Sequence, residues 1–178
     1  MKILVFSDSH GRQQNIKKTL EYHPDAQYIF HLGDGLRDLD GLESLCEGKE
    51  IRLVKGNAED CSLAFNSYPS ALCIDVCGKR IYLCHGHRHF VKQSSFFLME
   101  SATQNNADII LFGHSHAQYC EYIPSDTLKK ERENGLYLFN PGSISLPRDG
   151  KPASYGIIEI KEKGVLFSHG NIDAWSKR

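Results

Sequence analysis

The first apolar run, residues 2–6, is short and β-rich and gives way at once to Ser7-Asp8-Ser9-His10-Gly11, the pattern of a buried strand that ends in a polar loop. Over residues 12–22, Ile16 and Leu20 recur at the i, i+4 spacing of an amphipathic helix. The unit then repeats: a strand over 27–32, the loop Gly33-Asp34-Gly35, a helix over about 36–46, and a strand over 50–54 running into Gly56-Asn57. Strands alternating with helices predict a largely parallel sheet with helices on its outer faces. From residue 71 the pattern changes. Residues 71–76 and 80–84 flank Cys77-Gly78-Lys79 as the arms of a hairpin would. A helix over 94–105, with Phe96 and Met99 on one face, and a strand over 108–112 ending at Gly113-His114 come next. The last third carries strand-like pieces at 119–123, 136–139, 155–160 and 165–168, and the polar stretch 125–135 is the least ordered candidate. The expected architecture is one α/β domain spanning 1–178, with two sheets packed face to face.

Composition narrows the function classes. At 178 residues the chain can bury a real core, and 40% hydrophobic with 24% charged residues is ordinary for a globular protein. A formal charge of -1, with acids and bases interspersed, offers no basic footprint for phosphate neutralisation, so tight nucleic-acid binding is not expected. No apolar run approaches the roughly 18 residues of a membrane helix, and a cytoplasmic location is expected. Six cysteines are too few for a disulfide scaffold. Cys73 and Cys77, at an even spacing in a strand-like run, read as core thiols on one face.

The chemistry lies in the loops that follow the strands, where open α/β sheets bind their ligands. Five clusters occupy such positions: Asp8 with His10, Asp34, Asn57, His85, and His114 with His116. Each alone has a plainer reading as a helix cap, a turn or a solvated histidine. Together they do not, because five of the nine histidines fall in two short segments that each follow a strand signal. Alternate residues of an extended segment point the same way, so Asp8/His10 and His114/His116 can each present two side chains to one place. Two carboxylates, four imidazoles and one amide oxygen exceed what a four-coordinate zinc site takes, and the mixed donors suit Mn²⁺, Fe²⁺ or Zn²⁺ better than Mg²⁺ or Ca²⁺. Two ions are therefore expected, with one carboxylate between them.

In their order, Asp8-Ser9-His10, Gly33-Asp34, Gly56-Asn57, His85 and Gly113-His114-Ser115-His116 resemble the calcineurin-like metallophosphoesterase family. The small size, His85-Gly86-His87, Asn140-Pro141-Gly142-Ser143 and Pro152-Ala153-Ser154-Tyr155-Gly156 are similar to the small prokaryotic phosphodiesterases of the YfcE type. The resemblance covers residues 1 to about 160. It implies a pair of mixed β-sheets flanked by helices, and two divalent ions per chain, Mn²⁺ foremost, with Zn²⁺, Fe²⁺ or Ni²⁺ as alternatives. It implies that Asp8, His10 and His116 hold one ion, that Asn57, His85 and His114 hold the other, and that Asp34 bridges them. A hydroxide held between the ions would then attack phosphorus, making Asp34 catalytic as well as a ligand. The family usually follows the motif Asn with a His that protonates the leaving group, and the small branch often has Cys there. Here the residue is Ala58, so that a nearby imidazole, His87 foremost, either takes over that work or serves as a partner behind the ligands.

The function expected on this basis is hydrolysis of a small phosphodiester. A phosphomonoesterase or pyrophosphohydrolase on the same site is the second expectation. A non-catalytic interaction scaffold of the retromer-subunit kind is the third and poorest, because all seven ligand positions are filled. The resemblance also implies a homodimer or homotetramer. Arg12, Arg88 and Arg148 are candidate phosphate contacts.

Overall fold

The computed structural model describes residues 1–128 and 134–172. Two five-stranded mixed sheets form the molecule. In the first, β1 (Lys2–Phe6) pairs in parallel with β2 (Tyr28–His31), and β2 with β3 (Glu50–Leu53); β9 (Ser154–Lys161) and β10 (Gly164–Asn171) extend the other edge antiparallel. In the second, β4 (Ala71–Val76) and β5 (Lys79–Cys84) make a hairpin, β5 pairs in parallel with β6 (Ile109–Leu111) and β6 with β8 (Leu136–Pro141), and β7 (Gln118–Ile123) closes the edge antiparallel to β8.

The run at residues 2–6 is apolar throughout because both faces of its strand are covered. Ile3 and Val5 face the space between the sheets, where they meet Phe30, Ile81, Leu83, Leu111 and Phe139 in one buried cluster. Leu4 and Phe6 face outward under α1 (Gln13–Tyr22), against Ile16 and Leu20. Those two helix residues are 0% and 1% exposed, so the face that carries the i, i+4 spacing is wholly withdrawn from water, worth about 1.5–3 kcal/mol for each side chain. On the far side, α4 (Phe96–Gln104) covers the second sheet by placing Leu98 and Ala102 on Tyr82, Ile110 and Leu138.

The sequence reading and the structure part company in two places here. Residues 36–46 do not form one helix: a 3₁₀ turn at Leu36–Leu39 and a single helical turn, α2 (Glu43–Cys46), are separated at Gly41, whose φ of 80° is incompatible with a continuing helix. Cys77 is not a core thiol beside Cys73. Cys77 and Gly78 have φ of 48° and 73° between the paired residues Val76 and Lys79, which makes them the two central residues of a tight hairpin turn, and Cys77 is exposed. Part of the polar stretch 125–135 falls on residues 129–133, outside the described residues. No helix among the described residues is long and apolar enough to cross a membrane.

Candidate metal centre

The parallel strands β1, β2, β5 and β6 end at one rim of the sandwich, and the loops that follow them deliver the predicted side chains to a single place. Asp8 follows β1, Asp34 follows β2, His85 follows β5, and His114 and His116 follow β6. Asn57 begins α3 (Asn57–Asp60), beyond β3. Strand alternation is not what makes the pairs converge. Asp8, His10, Asp34, His114 and His116 have φ between 43° and 65°, five of the eight non-glycine residues with left-handed backbone among the described residues. Each such residue costs about 1–2 kcal/mol, so the surrounding structure must hold this strain in place.

Glycines permit the close packing of these loops. A Cβ on Gly33, at φ 98°, would collide with the backbone of Gly56, and one on Gly56 would collide with the Asp34 carboxylate. The two loops thus touch backbone to backbone, and Glu59 locks them together. This buried carboxylate, 4% exposed, accepts N–H bonds from Asp34 (2.8 Å) and Gly56 (2.8 Å) on one oxygen and from Gly35 (2.7 Å) and Leu36 (3.1 Å) on the other. Burial raises its pKa, but the four donors outweigh that and hold it below the ordinary glutamate range. The sequence reading passed over Glu59, although a Glu three residues after a helix-starting Gly is the acidic half of a capping box.

At the centre, Asp8 and Asp34 each use one oxygen for support and leave the other toward the imidazoles. Asp8 Oδ2 accepts from Ser7 Oγ (2.6 Å) and the His114 N–H (3.0 Å), while Oδ1 lies 3.2 Å from His116 Nε2 and 3.8 Å from His85 Nε2. Asp34 Oδ1 accepts the Ala58 N–H (2.8 Å), and Oδ2 lies 3.5 Å from His85 Nε2 and 3.9 Å from His10 Nε2. The histidines are fixed from behind: His85 Nδ1 donates to the Leu32 carbonyl and His116 Nδ1 to the Leu146 carbonyl, both at 2.7 Å, which turns each Nε2 inward. His10 Nε2 faces His116 Nε2 at 3.4 Å, and the His114 ring is centred 5.1 Å from that of His85.

Two groups of donors, each within 4.8 Å of one another, result: Asp8, His10 and His116, and Asp8, Asp34 and His85. Asp8 Oδ1 and His85 Nε2 are buried without a hydrogen-bond partner. A buried, unpaired carboxylate oxygen amid converging imidazole nitrogens is an arrangement that a divalent cation satisfies and that neutral protein surroundings do not. The residues therefore fit the metal ions that the family pattern implies. The electrostatics agree. Burial raises Asp8, yet the imidazoles of His116 and His85 beside it bring its pKa below the usual value. Asp34 follows the same logic, the His85 imidazole again opposing burial and bringing its pKa well below the usual value. His85 and His116 shift upward, burial being outweighed by the carboxylates facing them. His114, desolvated and close to the charges of His85 and Lys92, is pushed down to about 4.

A layer behind the ligands completes the frame. His31, wholly buried, takes the Gly33 N–H on Nδ1 (3.1 Å) and meets Ser9 Oγ with Nε2 (3.1 Å). Ser143 Oγ and Ser145 Oγ both donate to the Asp8 carbonyl, and Asn140 Nδ2 donates to the Gly113 carbonyl and Ser115 Oγ. That is the structural use of Asn140-Pro141-Gly142-Ser143. His87 sits at the edge, its ring centred 5.3 Å from that of His85. Its Nε2 bonds Asp60 Oδ2 at 3.0 Å, and its Nδ1 is buried without a partner. Arg88 Nη2 is bound to the same Asp60 carboxylate (3.0 and 3.1 Å).

The sequence profile of the Calcineurin-like phosphoesterase superfamily domain matches residues 1–163. Among curated proteins, the chain is 30% identical over 162 residues to the probable metallophosphoesterase YsnB of Bacillus subtilis, covering 90% of this chain and 85% of that one. It is 26% identical over 185 residues to the phosphodiesterase YfcE of Escherichia coli, covering 93% and 91%. A solved structure of a predicted phosphoesterase from Streptococcus pneumoniae superposes with a TM-score of 0.76 at 28% identity, covering 97% of this chain and 90% of that one. With this site on this pair of sheets, the chain belongs to the calcineurin-like phosphoesterase superfamily.

Proposed function

We propose that the protein is a phosphodiesterase that works with two divalent ions, Mn²⁺ foremost, on a small phosphodiester. The observation that carries this reading is the pair of inward-facing, otherwise unpaired atoms, Asp8 Oδ1 and His85 Nε2, inside a shell of further carboxylate and imidazole donors. Asp8, His10 and His116 would hold one ion, Asn57, His85 and His114 the other, and Asp34, whose Oδ1 accepts the Ala58 N–H, would serve both. When bound, the ions neutralise phosphate charge and lower the pKa of water.

The chain's own residues do the rest. The carbonyls of Leu32 and Leu146 keep His85 and His116 in the tautomer that presents Nε2. Position 58 contributes its backbone N–H to Asp34 and no side-chain proton. His87 supplies the leaving-group proton from Nδ1, its ring being held by Asp60 through Nε2. Desolvation lowers the His87 pKa despite the Asp60 carboxylate, so the imidazolium, the form that can donate from Nδ1, is a stronger acid than a free one and its share falls as the pH rises.

Matched p-nitrophenyl mono- and diesters, assayed with metal-stripped protein and Mn²⁺, test the reading. Turnover should need the metal, and kcat/KM should favour the diester by at least about tenfold, a difference of about 1.4 kcal/mol in transition-state binding. A preference for the monoester would make the protein a phosphomonoesterase, and no turnover of either would withdraw the enzymatic reading.

A further inference from the structure

A cleft of about 440 Å³ opens beside the metal centre, and Ser115, between the ligands His114 and His116, forms part of its wall. Its volume lies in the range of small-molecule sites. One wall is aromatic. Phe112 is buried, and Tyr119, 40% exposed, packs against it with ring centroids 6.1 Å apart; the Tyr119 hydroxyl donates to the Glu121 carboxylate, which fixes the ring. Lys92 lines the cleft and has no ion-pair partner among the described residues. The side-chain amides of Gln93 and Gln118 also line it and are likewise without a partner among the described residues.

A fixed aromatic face, two free amides and a free ammonium beside a phosphate-binding centre match a planar ring with hydrogen-bonding edges joined to a phosphate. Resting on the phosphodiesterase reading, we propose that this cleft binds a nucleoside esterified to the scissile phosphate, with the base on Tyr119, its edge read by Gln93 and Gln118, and Lys92 on the phosphoryl group. The cleft, rather than the metal centre, then sets which diesters are substrates.

Two diesters with the same leaving group isolate the cleft: the p-nitrophenyl ester of thymidine 5′-phosphate and methyl p-nitrophenyl phosphate, assayed with Mn²⁺-loaded protein. The thymidine ester should have a kcat/KM at least about tenfold higher, the scale of one base stacking on an aromatic ring, and Tyr119→Ala should bring the ratio to within about threefold of unity. Similar rates on both esters in the wild type would overturn the cleft and leave the phosphodiesterase reading standing. So would a preference that survives both Tyr119→Ala and Lys92→Ala. If neither ester turns over, calorimetry decides. Thymidine 5′-phosphate binding at least about tenfold tighter than inorganic phosphate, with the margin lost in Tyr119→Ala, would uphold the cleft without the enzyme; equal binding of the two would refute it.

Discussion

Glu59→Gln changes one atom of a buried side chain and should unsettle two ligand loops at once. The carboxylate now serves four backbone N–H groups, two on each oxygen. The amide keeps one acceptor oxygen and turns an NH₂ toward the other pair, so two buried donors lose their partner whichever way it is oriented. A stranded buried donor costs about 1–3 kcal/mol, which puts the loss at about 2–6 kcal/mol against a typical total of about 5–15. Urea unfolding of metal-free protein should show a lower midpoint at an unchanged m-value, and calorimetry should show weaker Mn²⁺ binding, because the misplaced segments carry Asp34 and Asn57. A stability loss below about 1 kcal/mol together with unaltered Mn²⁺ affinity would refute the clamp.

His31 is fully buried with its pKa lowered to about 4, desolvation outweighing the carboxylates of Glu59 and Asp8. The unfolded chain takes up a proton near pH 6.5 that the folded chain refuses until about pH 4. This residue's contribution to stability is thus intact above pH 6.5 and falls by up to about 3 kcal/mol on the way down to pH 4, and a His31→Asn variant should show a flatter profile in urea titrations across that window. His87→Ala should steepen the dependence of kcat on leaving-group pKa, costing about 10² to 10⁴ on alkyl esters and little on aryl ones; an equal loss on both would remove His87 from proton transfer. Asp34→Asn, which keeps the oxygen for the Ala58 N–H but loses the charge at Oδ2, should weaken binding of both ions and lower turnover by at least about 10², and near wild-type activity would rule out the bridge.

The positions of the candidate donors were legible because such side chains are chemically distinctive and the strands before them are marked by apolar runs. Asp8, His10 and His116 form one group of donors and Asp8, Asp34 and His85 another, the His114 ring lies against that of His85, and Asn57 begins the helix after β3. The geometry that gathers them was not. Alternation in an extended chain predicts that Asp8 and His10 point together, whereas both adopt left-handed backbone, a conformation that Asp and His tolerate better than most residues but that the strand pattern does not announce. Glu59 and His31 escaped notice for a related reason. Glu59 accepts from backbone N–H groups 23–25 residues away and His31 meets the Ser9 hydroxyl 22 residues back, partners that exist only once the sheet has brought β1, β2 and β3 side by side. The break at Gly41 and the exposed turn at Cys77 show the same limit: a glycine's sign of φ is decided by the tertiary path, not by the neighbouring hydrophobic spacing.

Everything proposed about catalysis depends on how many ions the centre holds. Elemental analysis of metal-stripped protein reconstituted with Mn²⁺ and freed of excess metal tests this directly. Seven donors divided around a shared Asp34 predict close to two Mn²⁺ per chain, whereas saturation at one would contradict the two-ion centre.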